Sequence, residues 1–226
     1  ANVSHELRTP LNSIIGFSGL LLQGVVGPLS DEQHKQVGMI NRSGRLLLSL
    51  IEDILDLSTI GAGGAGLEMT AFDPVRLVSE VLDTVFPMAD GKGLTVSLEI
   101  GEAPATLVSD RRKVRQVLLN LVGNAVKFTA EGEVRLRVEH DDHWARFIVR
   151  DTGSGIDPRD LDSIFEPFVQ VDRAEERIKP EGAGLGLTIS REYARLLGGD
   201  VEAVSGVGEG ATFVLRLPRD ESTAGA

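Results

Sequence analysis

Apolar residues recur at helical spacing over the first sixty positions of the chain. From Val3 to Gln23 they lie three or four residues apart with Ser, Asn and Arg between them, which is typical of an amphipathic helix. The residues from Gly24 to Pro28 interrupt the pattern. The segment from Ser30 to Gln33 then has the form of a capping box that starts a second helix, continuing to about Ser58. The pattern predicts a helical hairpin in residues 1–60.

This hairpin has more apolar positions than two helices can bury between them. A second copy of the chain would supply the missing surface, so we predict a homodimer that forms a four-helix bundle through residues 1–60. The alternative is that the hairpin packs against the rest of its own chain.

A change in composition separates the hairpin from the rest of the chain. Gly and Ala fill positions 61–66, as expected of a linker, and we place the linker at residues 61–71. Helices are predicted from Asp73 to about Phe86, over Arg111–Phe128, near Leu161–Phe165 and over Leu185–Leu197. Largely antiparallel strands are predicted at Leu94–Ile100, Glu133–Glu139, Trp144–Arg150, Val201–Ala203 and Thr212–Leu217. This mixture predicts an α+β layer domain over residues 72–220, with a C-terminal tail at 221–226.

Charge and composition narrow the range of partners. The net charge of -11 at pH 7 disfavours nonspecific binding to nucleic acid or anionic lipid, so we expect no nucleic-acid partner. The absence of cysteine fits a reducing compartment, and no apolar run approaches the roughly 18 residues that span a bilayer. We therefore expect a soluble cytoplasmic core, which meets a membrane only through a region upstream of this sequence, if at all.

The segment from Ser4 to Pro10 carries the first candidate chemistry. His5 and Thr9 are four residues apart and share one helix face, and Glu6 is adjacent to His5. A carboxylate that accepts the proton of one ring nitrogen leaves the other nitrogen as a nucleophile, with Glu6 as the general base. A single histidine on an amphipathic helix is more often a solvated surface residue, so this segment alone does not decide the matter.

A second candidate site lies on the predicted helix Arg111–Phe128. Asn120, Asn124 and Lys127 are spaced by four and three residues, which aligns two amide oxygens and an ammonium group on one stripe of an apolar helix. Magnesium prefers hard oxygen ligands and shares its shell with water and nucleotide phosphates, so this stripe suits Mg²⁺ and phosphate. The alternative is a polar face turned to solvent.

Two glycine-rich segments complete the candidate nucleotide site. In the first segment, Asp151 directly follows an apolar strand, and its carboxylate can accept a hydrogen bond from an exocyclic amine such as that of adenine. Gly153, Gly155 and Ile156 come next, and the glycines allow a tight turn. A generic hairpin turn explains this short pattern equally well. The second segment opens a helix whose amides can hold phosphate oxygens, and it contains Gly182, Gly184, Leu185, Gly186 and Leu187. The charged stretch before it is typical of a lid, in which Arg173 and Arg177 would neutralise phosphates.

The order of these segments resembles that of the sensor histidine kinases of two-component signalling, from Ser4 to about Pro218. The matching segments are the H-box at His5–Pro10, the N-box at Asn120–Thr129, the G1 box at Asp151–Ile156, the F-box at Phe165–Phe168, the G2 box at Gly182–Leu187 and a last glycine turn at Gly208–Phe213. The resemblance implies a dimerisation and phosphotransfer hairpin followed by a Bergerat-type α/β sandwich that binds ATP.

The resemblance also implies roles for single residues. His5 would be the phosphoacceptor, Glu6 the base, and Thr9 the residue that orients water when a partner is dephosphorylated. Asn124 would hold Mg²⁺ with help from Asn120, and the phosphoryl group would pass from His5 to an aspartate on the receiver domain of a response regulator. The expected ATP-binding residues are Asn120, Asn124, Lys127, Asp151, Gly153, Gly155, Ile156, Phe165, Phe168, Arg173, Arg177, Gly182, Gly184, Leu185, Gly186, Leu187 and Thr212.

The sequence departs from the family pattern at two places, and two rival functions are open. Gln170 stands where many relatives carry a basic residue, so Arg173 or Arg177 would replace that phosphate contact. The sequence begins four residues before His5, and we expect the first helix to extend further upstream in the full protein.

A Bergerat-fold ATPase that works as a conformational clamp shares the nucleotide segments but not the H-box. A non-enzymatic scaffold that binds a regulator through the hairpin would not need Asn124, Lys127 and Asp151.

Overall fold

The hairpin is formed by two long helices, α1 (Asn2–Leu22) and α2 (Asp31–Gly61). The computed structural model describes residues 2–61, 66–170 and 183–219, the first four of these by their backbone alone. The predicted capping box is confirmed: the Ser30 amide donates to Gln33 Oε1 at 2.9 Å, and the Gln33 amide donates to Ser30 Oγ at 3.3 Å. None of the helices among the described residues is long and apolar enough to cross a bilayer.

The register of the hairpin depends on a buried asparagine. Asn41 Nδ2 donates to the Ile15 carbonyl oxygen at 2.9 Å and to Ser18 Oγ at 2.8 Å. Further along, Arg8 forms an exposed ion pair with Glu52 at 3.5 Å. Because the two helices run antiparallel in this register, His5, one turn before Arg8 on α1, lies level with the last turns of α2.

The remaining elements form a sheet domain with helices on one face. Its helices are α3 (Pro74–Asp90), α4 (Arg111–Phe128) and α5 (Gly186–Leu196). Its strands are β1 (Met69–Phe72), β2 (Thr95–Ile100), β3 (Leu107–Asp110), β4 (Glu133–His140), β5 (Trp144–Asp151), β6 (Asp200–Ser205) and β7 (Ala211–Pro218). The main sheet has the order β2-β4-β5-β7-β6, and β1 pairs with β3 in a separate two-stranded sheet. This arrangement confirms the predicted α+β class and the α/β sandwich.

Alternating residues of the sheet build the core of this domain. In β5 and β7, every second side chain is buried against α3, α4 and α5, and the fully buried residues include Phe147, Leu215 and Leu217. On α4 the apolar stripe contributes Leu118 and Leu121, neither of which is accessible to solvent. The sandwich therefore has one closed apolar core between its two layers.

The structure differs from the prediction in three respects. Strands β1 and β3 were not predicted. Each has only four residues, too few for alternation to be recognised, and all of β1 except Phe72 falls inside the predicted linker. The segment near Leu161–Phe165 forms only one 3-10 turn, Ser163–Phe165, rather than a helix. Strand β2 pairs with β4 in parallel, which requires the crossover through β3 and α4, so the sheet is not wholly antiparallel.

Asp110, at the start of α4, also binds the segment that leads into the sheet domain. Asp110 caps α4 by accepting the amides of Arg112 and Lys113, and its Oδ2 accepts the Glu68 amide at 3.1 Å and Lys113 Nζ at 2.8 Å. Burial raises the pKa of the Asp110 carboxyl, but the bonds from Lys113 and the Glu68 amide outweigh burial and keep this pKa below its ordinary value.

The last turns of α2 contact the sheet domain. Leu57 and Ile60 pack against its core, and the Asp56 carboxylate faces the Tyr193 hydroxyl of α5. Burial first, and then this hydrogen-bonding contact with Asp56, raise the pKa of Tyr193. Lys113 Nζ of α4 lies 5.9 Å from the centroid of the Tyr193 ring. The hairpin thus packs on its own chain at this end.

Candidate active site

The predicted amide stripe of α4 lies against the start of α5. Asn120 Nδ2 donates to Ser190 Oγ at 2.8 Å, and an ideal Cβ on Gly186 would lie 2.4 Å from Asn120 Oδ1. The two helices approach this closely because residue 186 has no side chain. The N-terminus of α5, where backbone amides are unpaired within the helix, therefore lies beside the asparagine stripe.

One turn further on, α4 carries the two residues predicted to meet a metal ion and phosphate. Asn124 and Lys127 are half-buried, and Lys127 Nζ lies 4.8 Å from the centroid of the Phe128 ring. The buried Thr129 closes the helix, since its Oγ1 donates to the Ala125 carbonyl at 2.7 Å. The last two turns of α4 are thus fixed in conformation next to the candidate site.

Asp151 ends strand β5 and is almost fully buried, at 5% exposure. Its Oδ1 accepts the Gly153 amide at 2.8 Å and the Ala211 amide at 3.2 Å. An ideal Cβ on Gly153 would lie 2.5 Å from the Phe128 carbonyl oxygen, so this turn packs directly on the end of α4. Two backbone donors fix the orientation of the carboxylate, as a group that reads a base edge requires.

The last glycine turn, Gly208–Phe213, packs against the segment after Asp151. Gly155 has a φ of 71°, and an ideal Cβ on it would lie 1.9 Å from the Gly206 carbonyl oxygen. Gly210 has a φ of 76° and would place a Cβ 2.0 Å from the Asp151 carbonyl oxygen. The glycines are required by close backbone approach as well as by the left-handed conformation. This turn therefore supports the Asp151 loop.

The two phenylalanines of the F-box have different surroundings. Phe165 is half-buried, with the guanidinium of Arg191 4.6 Å from its ring centroid. Phe168 is 65% exposed and has a φ of 64°, unusual for a bulky residue. Its amide donates to the Gly184 carbonyl at 3.1 Å, which ties the F-box to the segment before α5. Strain at an exposed aromatic residue is typical of functional loops.

The structure brings most of the predicted nucleotide residues together but leaves some apart. Asn120 meets Gly186, the end of α4 meets Gly153, and Asp151 meets Gly210, while Leu185, Leu187 and Ile156 pack into or against the core. Thr212 points to the sheet face opposite the helices, because it alternates with the buried Ala211 and Phe213. On α1, Glu6 and Thr9 are exposed. The predicted residues Arg173, Arg177 and Gly182 lie outside the described residues.

Sequence reasoning missed three supporting residues. Ser190 pairs with Asn120, Arg191 stacks on Phe165, and Ser205 Oγ accepts the Ile156 amide at 2.7 Å and donates to the Gly210 carbonyl at 2.6 Å. Ser190 follows Gly186 by one helical turn, a spacing that places it on the same face of α5. The other two residues gave no signal in the sequence.

The side chains present fit a magnesium ion only in company with a nucleotide. Among the described residues, no group of three or more His, Asp or Glu side chains is arranged to hold a metal ion. Asn120 donates its Nδ2 hydrogen to Ser190, which orients the amide and leaves the oxygens of Asn120 and Asn124 as the donors that the stripe offers to a metal ion. Magnesium is commonly held by one or two protein oxygens plus phosphate oxygens and water, and this donor set suits that arrangement.

Comparison with known protein families gives two matches. Residues 109–221 match the family described as histidine kinase-, DNA gyrase B-, and HSP90-like ATPase. Residues 1–63 match the His Kinase A (phospho-acceptor) domain. The phospho-acceptor match thus covers the hairpin, and the ATPase match covers most of the sheet domain.

Individual relatives agree with these matches. The chain is 39% identical over 219 residues to the histidine protein kinase DivJ of Caulobacter vibrioides, and 41% identical over 221 residues to the circadian input-output histidine kinase CikA of Synechococcus elongatus. Each comparison covers 96% of this chain but only 36% of DivJ and 29% of CikA, so the chain spans about a third of these relatives. The crystal structure of full-length ShkA in complex with AMPPNP superposes with a TM-score of 0.82 at 37% identity, over 97% of this chain and 45% of ShkA.

Proposed function

The chain belongs to the histidine kinases, and on this premise we propose that it transfers the γ-phosphoryl group of ATP to His5 and then to an aspartate on the receiver domain of a response regulator. The reaction consumes ATP, so we assign this core to the cytoplasm. We also propose phosphatase activity toward the same partner, with Thr9 orienting the water.

The observation that carries the proposal is the junction of α4 and α5. There, the amide of Asn120 touches Gly186 at the N-terminus of α5, and Asn124 and Lys127 follow on the same helix. Unpaired amides and an ammonium group offer hydrogen bonds and positive charge to phosphate oxygens. Asp151, oriented by two backbone amides, supplies the acceptor for the adenine amine.

In the proposed reaction, a neutral ring nitrogen of His5 attacks the γ-phosphorus in line with the departing ADP. The new N–P bond forms as the bond from phosphorus to the bridging oxygen breaks, and Glu6 accepts the proton of the other ring nitrogen. Lys127 neutralises charge on the phosphates, and Gly184 and Gly186 leave room for close backbone approach. Asn124, with help from Asn120, would hold a magnesium ion, which when bound would neutralise charge on the phosphoryl group.

Three observations support the kinase over its rivals. DivJ and CikA are named histidine kinases, and the ShkA complex contains an ATP analogue. A clamp ATPase would not need the phospho-acceptor domain matched by residues 1–63. A scaffold would not need the arrangement of Asn120, Gly186 and Asp151 described above.

We further propose that the active form is a homodimer through residues 1–60. An apolar groove of about 520 Å³ runs along the hairpin and is lined by Leu11, Ile14, Gln36, Met39, Ile40, Ser43, Gly44 and Leu47. A second copy presents the same apolar residues to this groove, which makes a symmetric contact self-complementary. The match to the phospho-acceptor domain supports the same assembly.

The test is transfer of label from γ-labelled ATP in the presence of Mg²⁺. We expect label that is stable to base and labile to acid, absent from His5→Gln and retained by the matched control His34→Gln, which replaces an exposed histidine of α2. Label that survives His5→Gln would refute the assignment. Release of ADP without label would support the clamp ATPase, and failure to bind nucleotide would support the scaffold.

A further inference from the structure

Lys92, which lies in none of the candidate nucleotide segments, makes an unusual set of contacts. It lies in the turn after α3, and its Nζ donates to the carbonyl oxygens of Val126 at 2.8 Å, Lys127 at 2.8 Å and Thr129 at 3.2 Å. An ammonium group has three donors, and here all three are directed to the end of α4.

These contacts meet a need of the helix itself. The last turn of an α-helix leaves carbonyl groups without intrahelical partners and carries the negative end of the helix dipole. A cation at that place satisfies the carbonyls and opposes the dipole. Because Lys92 comes from another element, it also fixes where the end of α4 lies relative to α3 and β2.

The end of α4 is the part of the helix that builds the candidate nucleotide site. Asn124 and Lys127 lie on its last two turns, and the Phe128 carbonyl lies 2.5 Å from the position of a Cβ on Gly153. The Gly153 amide in turn donates to Asp151. A displacement of this helix end would therefore move the metal and phosphate ligands and disturb the turn that orients Asp151.

We propose that Lys92 is a positioning residue of the nucleotide site, acting through the C-terminal carbonyls of α4 rather than by contact with the nucleotide. The proposal rests on the proposed binding of Mg-ATP by α4 and the Asp151 turn. Lys92 holds the last turn of α4 in the place where Asn124, Lys127 and Asp151 converge on one ligand.

Three variants test this role: Lys92→Met, Lys92→Arg and the control Lys35→Met, which removes an exposed lysine of α2. The measurements are the dissociation constant of Mg-ATP by calorimetry, the KM and kcat of His5 labelling, and amide hydrogen exchange of residues 124–130. We expect Lys92→Met to weaken Mg-ATP binding about tenfold, the change that corresponds to one hydrogen bond to a charged group. Faster exchange should be confined to the end of α4, and Lys35→Met should match the unaltered chain.

Lys92→Arg separates positioning from simple attraction of phosphate by charge. Its planar guanidinium cannot place three donors as the ammonium does, so we expect an intermediate loss of affinity that persists at high salt. A loss that disappears at high salt in both variants would show a long-range charge effect and overturn the proposal. So would a lowered melting temperature with unchanged affinity in folded Lys92→Arg, since that result indicates stabilisation alone. If the unaltered chain fails to bind Mg-ATP, the proposed function itself fails.

Discussion

The hairpin and the sheet domain differ in how far each closes its own apolar surface. Among the described residues of the hairpin, Leu11 is the only buried apolar side chain, at 7% exposure, while Ile14 is 46%, Phe17 70% and Ile40 52% exposed. In the sheet domain, both layers contribute fully buried Leu, Val and Phe side chains to one core. The sheet domain therefore buries its own apolar face, whereas the hairpin leaves much of its apolar face exposed, as an interaction surface does.

The two regions also fix their geometry by different means. In the hairpin, the register is set by polar contacts of Asn41, and a buried polar group of this kind specifies alignment at some cost in stability. In the sheet domain, loops are fixed by glycines whose backbones touch, as at Gly155 and Gly210. The difference is consistent with their proposed roles, because His5 of the hairpin would have to meet both ATP and the response regulator, while the nucleotide site must be preorganised.

The contrast between the two regions would not hold if the apolar face of the hairpin needed no second copy of the chain. We expect Ile40→Asp, in the apolar groove, to raise the dimer dissociation constant about a thousandfold, since two isoleucines of about 2 kcal/mol each lose their burial and two charges enter the interface. Sedimentation at several protein concentrations measures this change. Mg-ATP affinity should not change, because the groove is remote from α4 and α5.

Val204→Asp is the matched control for the dimer. Val204 is 71% exposed on β6 of the sheet domain, so the same change at an exposed apolar residue should leave the oligomeric state unaltered. Dissociation by both variants would point to a general charge effect. A stable Ile40→Asp dimer would place the interface elsewhere.

Two glycine substitutions test whether the backbone is more tightly constrained in the sheet domain than in the hairpin. We expect Gly155→Ala to lower the free energy of unfolding by about 3 kcal/mol, because a Cβ there would both occupy a left-handed conformation and overlap the Gly206 carbonyl. Gly16→Ala on α1, where an added Cβ meets nothing within 4 Å, should be neutral or stabilise by up to about 1 kcal/mol. Urea denaturation followed by circular dichroism measures both, and equal effects would contradict the distinction.

Features set by local sequence were the ones that could be predicted. The capping box at Ser30, the helix start at Asp73 and the apolar helix Arg111–Phe128 each depend on residues within one or two turns, and all three are confirmed. The glycine segments could be recognised for the same reason, since a short pattern of glycines already restricts the backbone conformations that follow.

Features that depend on distant partners could not be predicted. Strand β1 pairs with β3, and Asp110 at the end of β3 accepts the Glu68 amide from 42 positions away. Asn120 pairs with Ser190 across 70 positions, and Lys92 reaches carbonyls 34 to 37 positions away. No periodicity in the sequence encodes such pairs, so the supporting contacts of the candidate site became visible only in the structure.

The smallest expected effect on stability comes from a residue at the contact between the hairpin and the sheet domain. Asp53 lies on α2 near Asp56 and Glu52, with Tyr193 of α5 close by, and burial, followed by repulsion from Asp56 and Glu52, raises the Asp53 pKa to about 6.

The folded chain therefore binds more protons than the unfolded chain between about pH 4 and 6, so stability should fall as pH rises through this window and remain lower above it. Asp53→Asn removes this dependence and should stabilise the chain at pH 8 by about 1 kcal/mol, a value reduced for the partial exposure of the carboxylate. Denaturation of both proteins at pH 5 and pH 8 measures the difference between them. Parallel losses of stability from pH 5 to pH 8 would show that Asp53 ionises without cost, and that the end of α2 meets the sheet domain less closely than its contacts with Tyr193 indicate.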